Sequence, residues 1–175
     1  MTAAQDVLKQ FQNGEVKYLD LRFTDPKGKL QHLTLDGSLV NDELFANGVF
    51  FDGSSISGWK AINESDMVLM PDPSTTIIDP FTAQPTMIVF CDILDALTKE
   101  TYERDPRGIA RRAEEYLKTS GIGDTIYMGP EAEFFVFDDV KFQVDMNKSM
   151  FEVDSVEGPY NSGRSYESNN LGHRP

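Results

Sequence analysis

Val16-Lys17-Tyr18-Leu19-Asp20-Leu21-Arg22-Phe23-Thr24-Asp25-Pro26-Lys27-Gly28-Lys29-Leu30-Gln31-His32-Leu33-Thr34-Leu35 decides how the first half of this chain folds. Leu19, Leu21 and Phe23 alternate, so an extended backbone places all three on one face. Asp25-Pro26-Lys27-Gly28 has the residues of a tight turn, and the stretch therefore predicts a hairpin with arms at 16–24 and 29–35. Ahead of it, Thr2 caps a short helix with Val7, Leu8 and Phe11 on its apolar face, closed by Asn13-Gly14. Behind it, Asn41 starts a second short helix carrying Leu44 and Phe45, ended by Asn47-Gly48. Helix, hairpin, helix in so small a unit predicts an α+β domain with a mixed sheet.

Residues 49–85 read as a long irregular stretch. Phe50-Phe51-Asp52-Gly53-Ser54-Ser55-Ile56-Ser57-Gly58-Trp59 is a loop flanked by large aromatics, 66–70 is a short strand, and Pro71, Pro73, Pro80 and Pro85 interrupt the rest. Irregular stretches of this length are usually functional or disordered, and the aromatic content argues against disorder. Gly53 and Gly58 have P-loop spacing, but Trp59 stands where the lysine belongs. The serines miss the nucleophile elbow. Asp52 has two readings: a turn carboxylate accepting backbone N–H groups, or a carboxylate partly dried by Phe50, Phe51 and Trp59 that attracts a small cation. Trp59 could face such a cation itself. Asp66 is a second acid on the same stretch, or a strand-edge cap. His32, mid-hairpin, reads as a satisfied structural residue. His173, near the end, could touch a ligand.

Residues 86–93 predict a buried strand and 98–104 a linker, which divides the chain into domains 1–104 and 105–175. Asp105-Pro106 opens the longest helix, with Ile109, Ala113, Tyr116 and Leu117 inward and Gly121 as its stop. Next comes Met128-Gly129-Pro130-Glu131-Ala132-Glu133-Phe134-Phe135-Val136-Phe137. Its apolar run, 132–137, predicts a strand buried on both faces, which puts Glu131 and Glu133 on one side about 7 Å apart. Two carboxylates entering a core side by side need a cation between them, and magnesium or manganese suits oxygen donors. The alternative is the frayed start of a strand with both groups in water. Phe142, Val144 and Met146 alternate in a further strand, 150–153 could add another, and 155–175 has no core-forming pattern. One helix and three strands give this second domain too little to bury its sheet, so the chain is expected to be part of a longer protein.

Composition narrows the function. A formal net charge of −13, from 29 acidic against 16 basic side chains, argues against nucleic acid or an anionic membrane as partner. Cys91 is the only cysteine, which excludes a disulfide framework and a thiolate zinc site. No run of about 18 apolar residues exists, nor a signal-peptide pattern at the start, and a cytoplasmic location is expected.

Phe51-Asp52-Gly53-Ser54-Ser55-Ile56 with Gly58-Trp59, Asn63-Glu64-Ser65-Asp66-Met67, Gly129-Pro130-Glu131-Ala132-Glu133-Phe134-Phe135 and Asn170-Leu171-Gly172-His173-Arg174-Pro175 together resemble glutamine synthetase of the bacterial type I. One small departure is Ala132, where the family more often has proline. The resemblance implies a β-grasp-like amino-terminal domain, then the opening of a catalytic domain with a curved antiparallel sheet. It implies magnesium- or manganese-dependent condensation of glutamate with ammonia, in which ATP forms an acyl phosphate that ammonia attacks. Glu131 and Glu133 would be metal ligands. Asp52 would hold ammonium and take its proton, with Ser55 and Asp66 supporting the pocket. It further implies a homo-oligomeric ring in which one subunit's amino-terminal domain completes its neighbour's site. The remaining ligands would lie beyond Pro175, so residues 1–175 alone are expected to form no glutamine from glutamate, ammonia and ATP. An assay on the purified 175-residue chain checks this. Two other readings stay open: a relative joining glutamate to another amine, and a non-catalytic acidic interaction module.

Overall fold

The computed structural model describes residues 2–60, 65–165 and 167. It forms two compact units, Met1–Ile126 and Tyr127–Pro175. Asn63, Glu64, His173 and the 170–175 motif lie outside the described residues.

In the first unit, helix α1 (Ala3–Gln12) begins at Thr2, whose hydroxyl accepts from the Gln5 N–H while the Gln5 side chain accepts from the Thr2 N–H. That reciprocal cap satisfies two donors that the first turn would leave unpaired. Strands β1 (Tyr18–Thr24) and β2 (Leu30–Asp36) make the expected hairpin, pairing Leu21 with Leu33 and Arg22 with His32. Helix α2 (Asp42–Asn47) is capped by Asn41 and ends at Gly48.

The stretch read as irregular holds three strands: β3 (Val49–Asp52), β4 (Asp66–Pro71) and β5 (Ile77–Ile78). Strand β6 (Thr86–Asp95) runs parallel to β1 with its first half and antiparallel to β4 with its second. The sheet order is β2-β1-β6-β4-β3, with β5 also on β6. The parallel β1–β6 pair makes it the mixed sheet expected from the sequence.

One face of this sheet carries the core. Leu19, Leu21 and Phe23 of β1, Met67 and Leu69 of β4, and Met87, Val89, Cys91 and Ile93 of β6 are all buried. They form one cluster with Val7 of α1, Leu44 of α2, Trp59 and Tyr102. Each fully buried aliphatic side chain contributes roughly 1.5–3 kcal/mol relative to exposure. Cys91 is part of this packing, and burial raises its thiol far above the ordinary range, leaving it an inert apolar group.

On the opposite face, Asp20 is buried and fully occupied. It accepts from Arg22 Nε at 2.7 Å and Thr34 Oγ1 at 2.7 Å, and its Oδ1 lies 2.8 Å from His32 Nδ1. Burial opposes ionisation here, but the bonds from His32, Arg22 and Thr34 outweigh it and hold Asp20 below its usual pKa. His32 is thus a partner in a hydrogen-bonded network.

Helix α3 (Pro106–Ser120) starts at Asp105 and stops at left-handed Gly121, as expected. Its first turns are tied to the first unit: Arg107 pairs with Asp72, and Arg111 Nη1 lies 2.6 Å from Asp92 Oδ2. These ties carry the first compact unit past residue 104, to Ile126. The face expected to turn inward is uncovered, with Ile109 49% and Tyr116 71% exposed. Among the described residues no helix is long and apolar enough to cross a membrane.

In the second unit, β7 (Asp139–Asp145) and β8 (Lys148–Asp154) form an antiparallel hairpin with Phe142 opposite Phe151. Residues 132–137 are not in a strand, and Phe134 and Phe135 are each 81% exposed. The expectation of a buried strand fails for a physical reason. A strand needs a neighbour for its N–H and C=O groups, and among the described residues 129–137 pairs with none. Within the segment the Phe135 and Phe137 rings, two residues apart, stack with centroids 6.2 Å apart.

Candidate functional site

Alternation along β3 sorts its residues into two sets. Val49 and Phe51 point toward the core, while Phe50 and Asp52 point outward and are exposed. Phe51 joins Phe23 at 5.3 Å between centroids, and Trp59 stacks on Phe23 at 5.6 Å with its edge toward Tyr102. Only Phe50 shares the face of Asp52, and it is 59% exposed with Lys99 Nζ 4.4 Å from its ring centre. The dry aromatic pocket expected around Asp52 is therefore not formed by this unit. Phe51 and Trp59 serve the core, and Trp59 is not turned to a cation on the outer face.

Asp52 instead ends β3 and opens a single 3₁₀ turn, Gly53–Ser55. Its Oδ1 accepts from the Ser54 N–H at 2.9 Å and from the Ser54 hydroxyl at 2.6 Å. The Ser54 hydroxyl and N–H, and secondarily Ser65, hold the Asp52 carboxyl below its usual pKa. Gly53 fits tightly: a Cβ there would sit 2.2 Å from Met67 Sδ and 3.0 Å from the Ser65 carbonyl, so a larger residue would force the buried Met67 side chain to move. Ser55, at the end of the turn, is exposed.

The register of β3 and β4 pairs Asp52 directly with Asp66. Cross-strand partners share a face, so two carboxylates stand side by side at the open end of this ladder. Among the described residues no lysine or arginine forms an ion pair with either. Like charges opposite one another are unfavourable, and an external cation would relieve them. The sequence offered no way to see that Asp52 and Asp66 are partners, because the register depends on the course of the chain between them.

Glu131 and Glu133 are both exposed, on the segment of the second unit that lies outside any strand. Among the described residues no group of three or more histidine, cysteine or acidic side chains could hold a metal ion. Their chemistry nonetheless suits magnesium or manganese, which are commonly held by one or two carboxylates with waters and substrate phosphates completing the shell.

Two family models cover most of this chain. The β-grasp domain of glutamine synthetase matches residues 15–96 and the glutamine synthetase catalytic domain matches 103–173. Glutamine synthetase from Rhizobium meliloti is 64% identical over 175 residues, which are all of this chain and 37% of that protein. The enzyme from Vibrio cholerae is 53% identical over 173 residues, 99% of this chain and again 37% of the relative. A glutamine synthetase structure from Plasmodium falciparum superposes with a TM-score of 0.66 at 20% identity, covering 90% of this chain and 30% of that one. The GmaS/ADP complex gives 0.59 at 16% identity over 66% of this chain and 26% of that one. The molecule is thus a β-grasp domain joined to the opening of a catalytic domain. It belongs to the glutamine synthetase family and spans 37% of the length of the curated relatives named above.

Proposed function

We propose that this chain supplies the amino-terminal part of a cytoplasmic ATP-dependent ligase that condenses glutamate with ammonia through an acyl phosphate, with the functional division at residues 104 and 105. The observation that carries the proposal, in a member of this family, is the outward pairing of Asp52 with Asp66, with no lysine or arginine ion-paired to either among the described residues. Asp52 holds ammonium and accepts its proton, and Ser55 and Asp66 complete that side of the site. In its turn Asp52 is stabilised as a carboxylate, which favours holding a cation over accepting its proton. The proton-accepting role therefore calls for a drier setting than this unit gives. A homo-oligomeric ring, with the outward face of β3 and β4 closed against a neighbouring subunit, supplies that setting.

Glu131 and Glu133 lend oxygen ligands to magnesium or manganese, which when bound neutralises phosphoryl charge. Titrating either metal into full-length protein carrying Glu131→Gln or Glu133→Gln tests this part. Each variant is expected to bind the metal about 10- to 100-fold more weakly than wild type. Unchanged affinity in both would remove the glutamates from the metal site and favour a non-catalytic acidic module. Turnover with ammonia against small organic amines decides which nitrogen nucleophile is used.

A further inference from the structure

The turn that holds Asp52 occurs three times among the described residues of this unit. At Asp36, Asp52 and Asp72 the carboxylate opens a three-residue 3₁₀ turn, and the serine two places on donates its N–H and its hydroxyl to Oδ1. The geometry barely varies. The N–H distances are 2.9, 2.9 and 3.0 Å and the hydroxyl distances are each 2.6 Å.

Asp72 shows what this arrangement does with the second oxygen. While Ser74 occupies Oδ1, Oδ2 faces the guanidinium of Arg107 and lies 3.7 Å from Arg111 Nη2. At Asp72 the serine fixes the carboxylate plane and the remaining oxygen is presented to a cation, whereas Asp36, in the same turn, forms no ion pair among the described residues. At Asp52 the same two bonds are made, but among the described residues no arginine or lysine pairs with it. Asp66 stands opposite instead and adds to the local negative charge.

We propose that Ser54 is the positioning residue of Asp52, tying Oδ1 into the turn so that Oδ2 is presented to a cationic substrate. This rests on the reading of Asp52 as the residue that holds ammonium. Ser54 acts through Asp52 and has no need to touch the substrate. Its hydroxyl also hydrogen-bonds the ionised carboxylate, so losing it leaves the carboxylate freer to rotate and weakens cation binding through lost orientation, while Asp52 stays ionised at neutral pH.

The test uses the full-length enzyme with Ser54→Ala, Ser54→Thr, Asp52→Asn and, as a control on an identical turn, Ser38→Ala. Steady-state kinetics are measured with ammonium and with ATP varied in turn. Ser54→Ala is expected to raise the KM for ammonium about tenfold with kcat changed less than about threefold, and with the KM for ATP unaltered. Ser54→Thr, which keeps a hydroxyl, restores ammonium KM to near the wild-type value, and Ser38→Ala leaves it unchanged. If Asp52→Asn impairs ammonium use while Ser54→Ala does not, the positioning role is overturned and the role of Asp52 stands. A defect in Ser54→Ala that threonine fails to rescue, or that Ser38→Ala reproduces, also overturns it. If Asp52→Asn itself leaves ammonium kinetics at wild type, both readings fall together.

Discussion

Asp52→Asn in the full-length enzyme is expected to lower ammonia-dependent turnover by about 10²–10⁴-fold while leaving ATP affinity within about twofold. The substitution is nearly isosteric. An asparagine Oδ1 can still accept from the Ser54 N–H and hydroxyl, so the turn that ends β3 survives. What disappears is the negative charge on an outward face that carries Asp66 as its cross-strand partner. A neutral amide neither attracts ammonium nor accepts a proton from it, so the loss falls on the nucleophile. Steady-state kinetics with ammonium varied, together with direct measurement of ATP binding, read the two effects separately. Equal weakening of ATP binding would mean that Asp52 supports the site as a whole, and the ammonium role would then be wrong.

Much of the first unit was legible because its signals are local. Thr2, Asn41 and Asp105 are capping residues placed where helices begin, and Leu19, Leu21 and Phe23 alternate without interruption. The failures share a different cause. Strands β3 and β5 are four and two residues long, too short for a period to emerge, and they exist because β4 and β6 offer pairing groups from elsewhere in the chain. The run 132–137 has the opposite history: strong strand composition, but no paired neighbour among the described residues. Composition records what side chains prefer to bury, whereas a ladder also needs a partner with matching register. The same limit applies at the site. The aromatics around Asp52 suggested a dry pocket because they are adjacent in sequence, but alternation sends Phe51 into the core and Asp52 out of it. The Asp-x-Ser repetition at 36–38, 52–54 and 72–74 was visible in the sequence, and it would have identified Ser54 as the hydroxyl bonded to Asp52.

Asp105→Ala is expected to be the most damaging polar substitution in the first unit, loosening the junction of α3 and β6 by about 3 kcal/mol. Asp105 is 1% exposed, and among the described residues no lysine or arginine forms an ion pair with it to explain its burial. It is kept by three backbone donors: Oδ1 accepts from Arg107 N–H at 3.2 Å, and Oδ2 from Gly108 N–H at 3.1 Å and Ile93 N–H at 3.3 Å. Two of these cap the helix and the third reaches into the central strand, so alanine removes a cap and strands a buried donor together. Burial is the largest influence on this carboxyl and raises its pKa above the usual value, despite the three bonds. A folded-state pKa above the unfolded one means that the native state holds the proton more tightly. The stabilisation linked to that proton is present below the unfolded value of about 3.9 and is lost as pH rises through the folded one. Asp20 and Asp72, whose pKa values are lowered, behave in the opposite sense and lose their contribution as pH falls through theirs. Asp105→Asn should therefore cost clearly less than Asp105→Ala, and its cost should shrink as pH rises above the ordinary carboxylate range and through the raised folded-state pKa. Hydrogen exchange at the α3 amides and at Ile93, followed across that range in the full-length protein, reads the opening free energy where it changes. Equal protection in the alanine variant and wild type would show that the arginine pairs of Arg107 and Arg111 suffice to hold the helix.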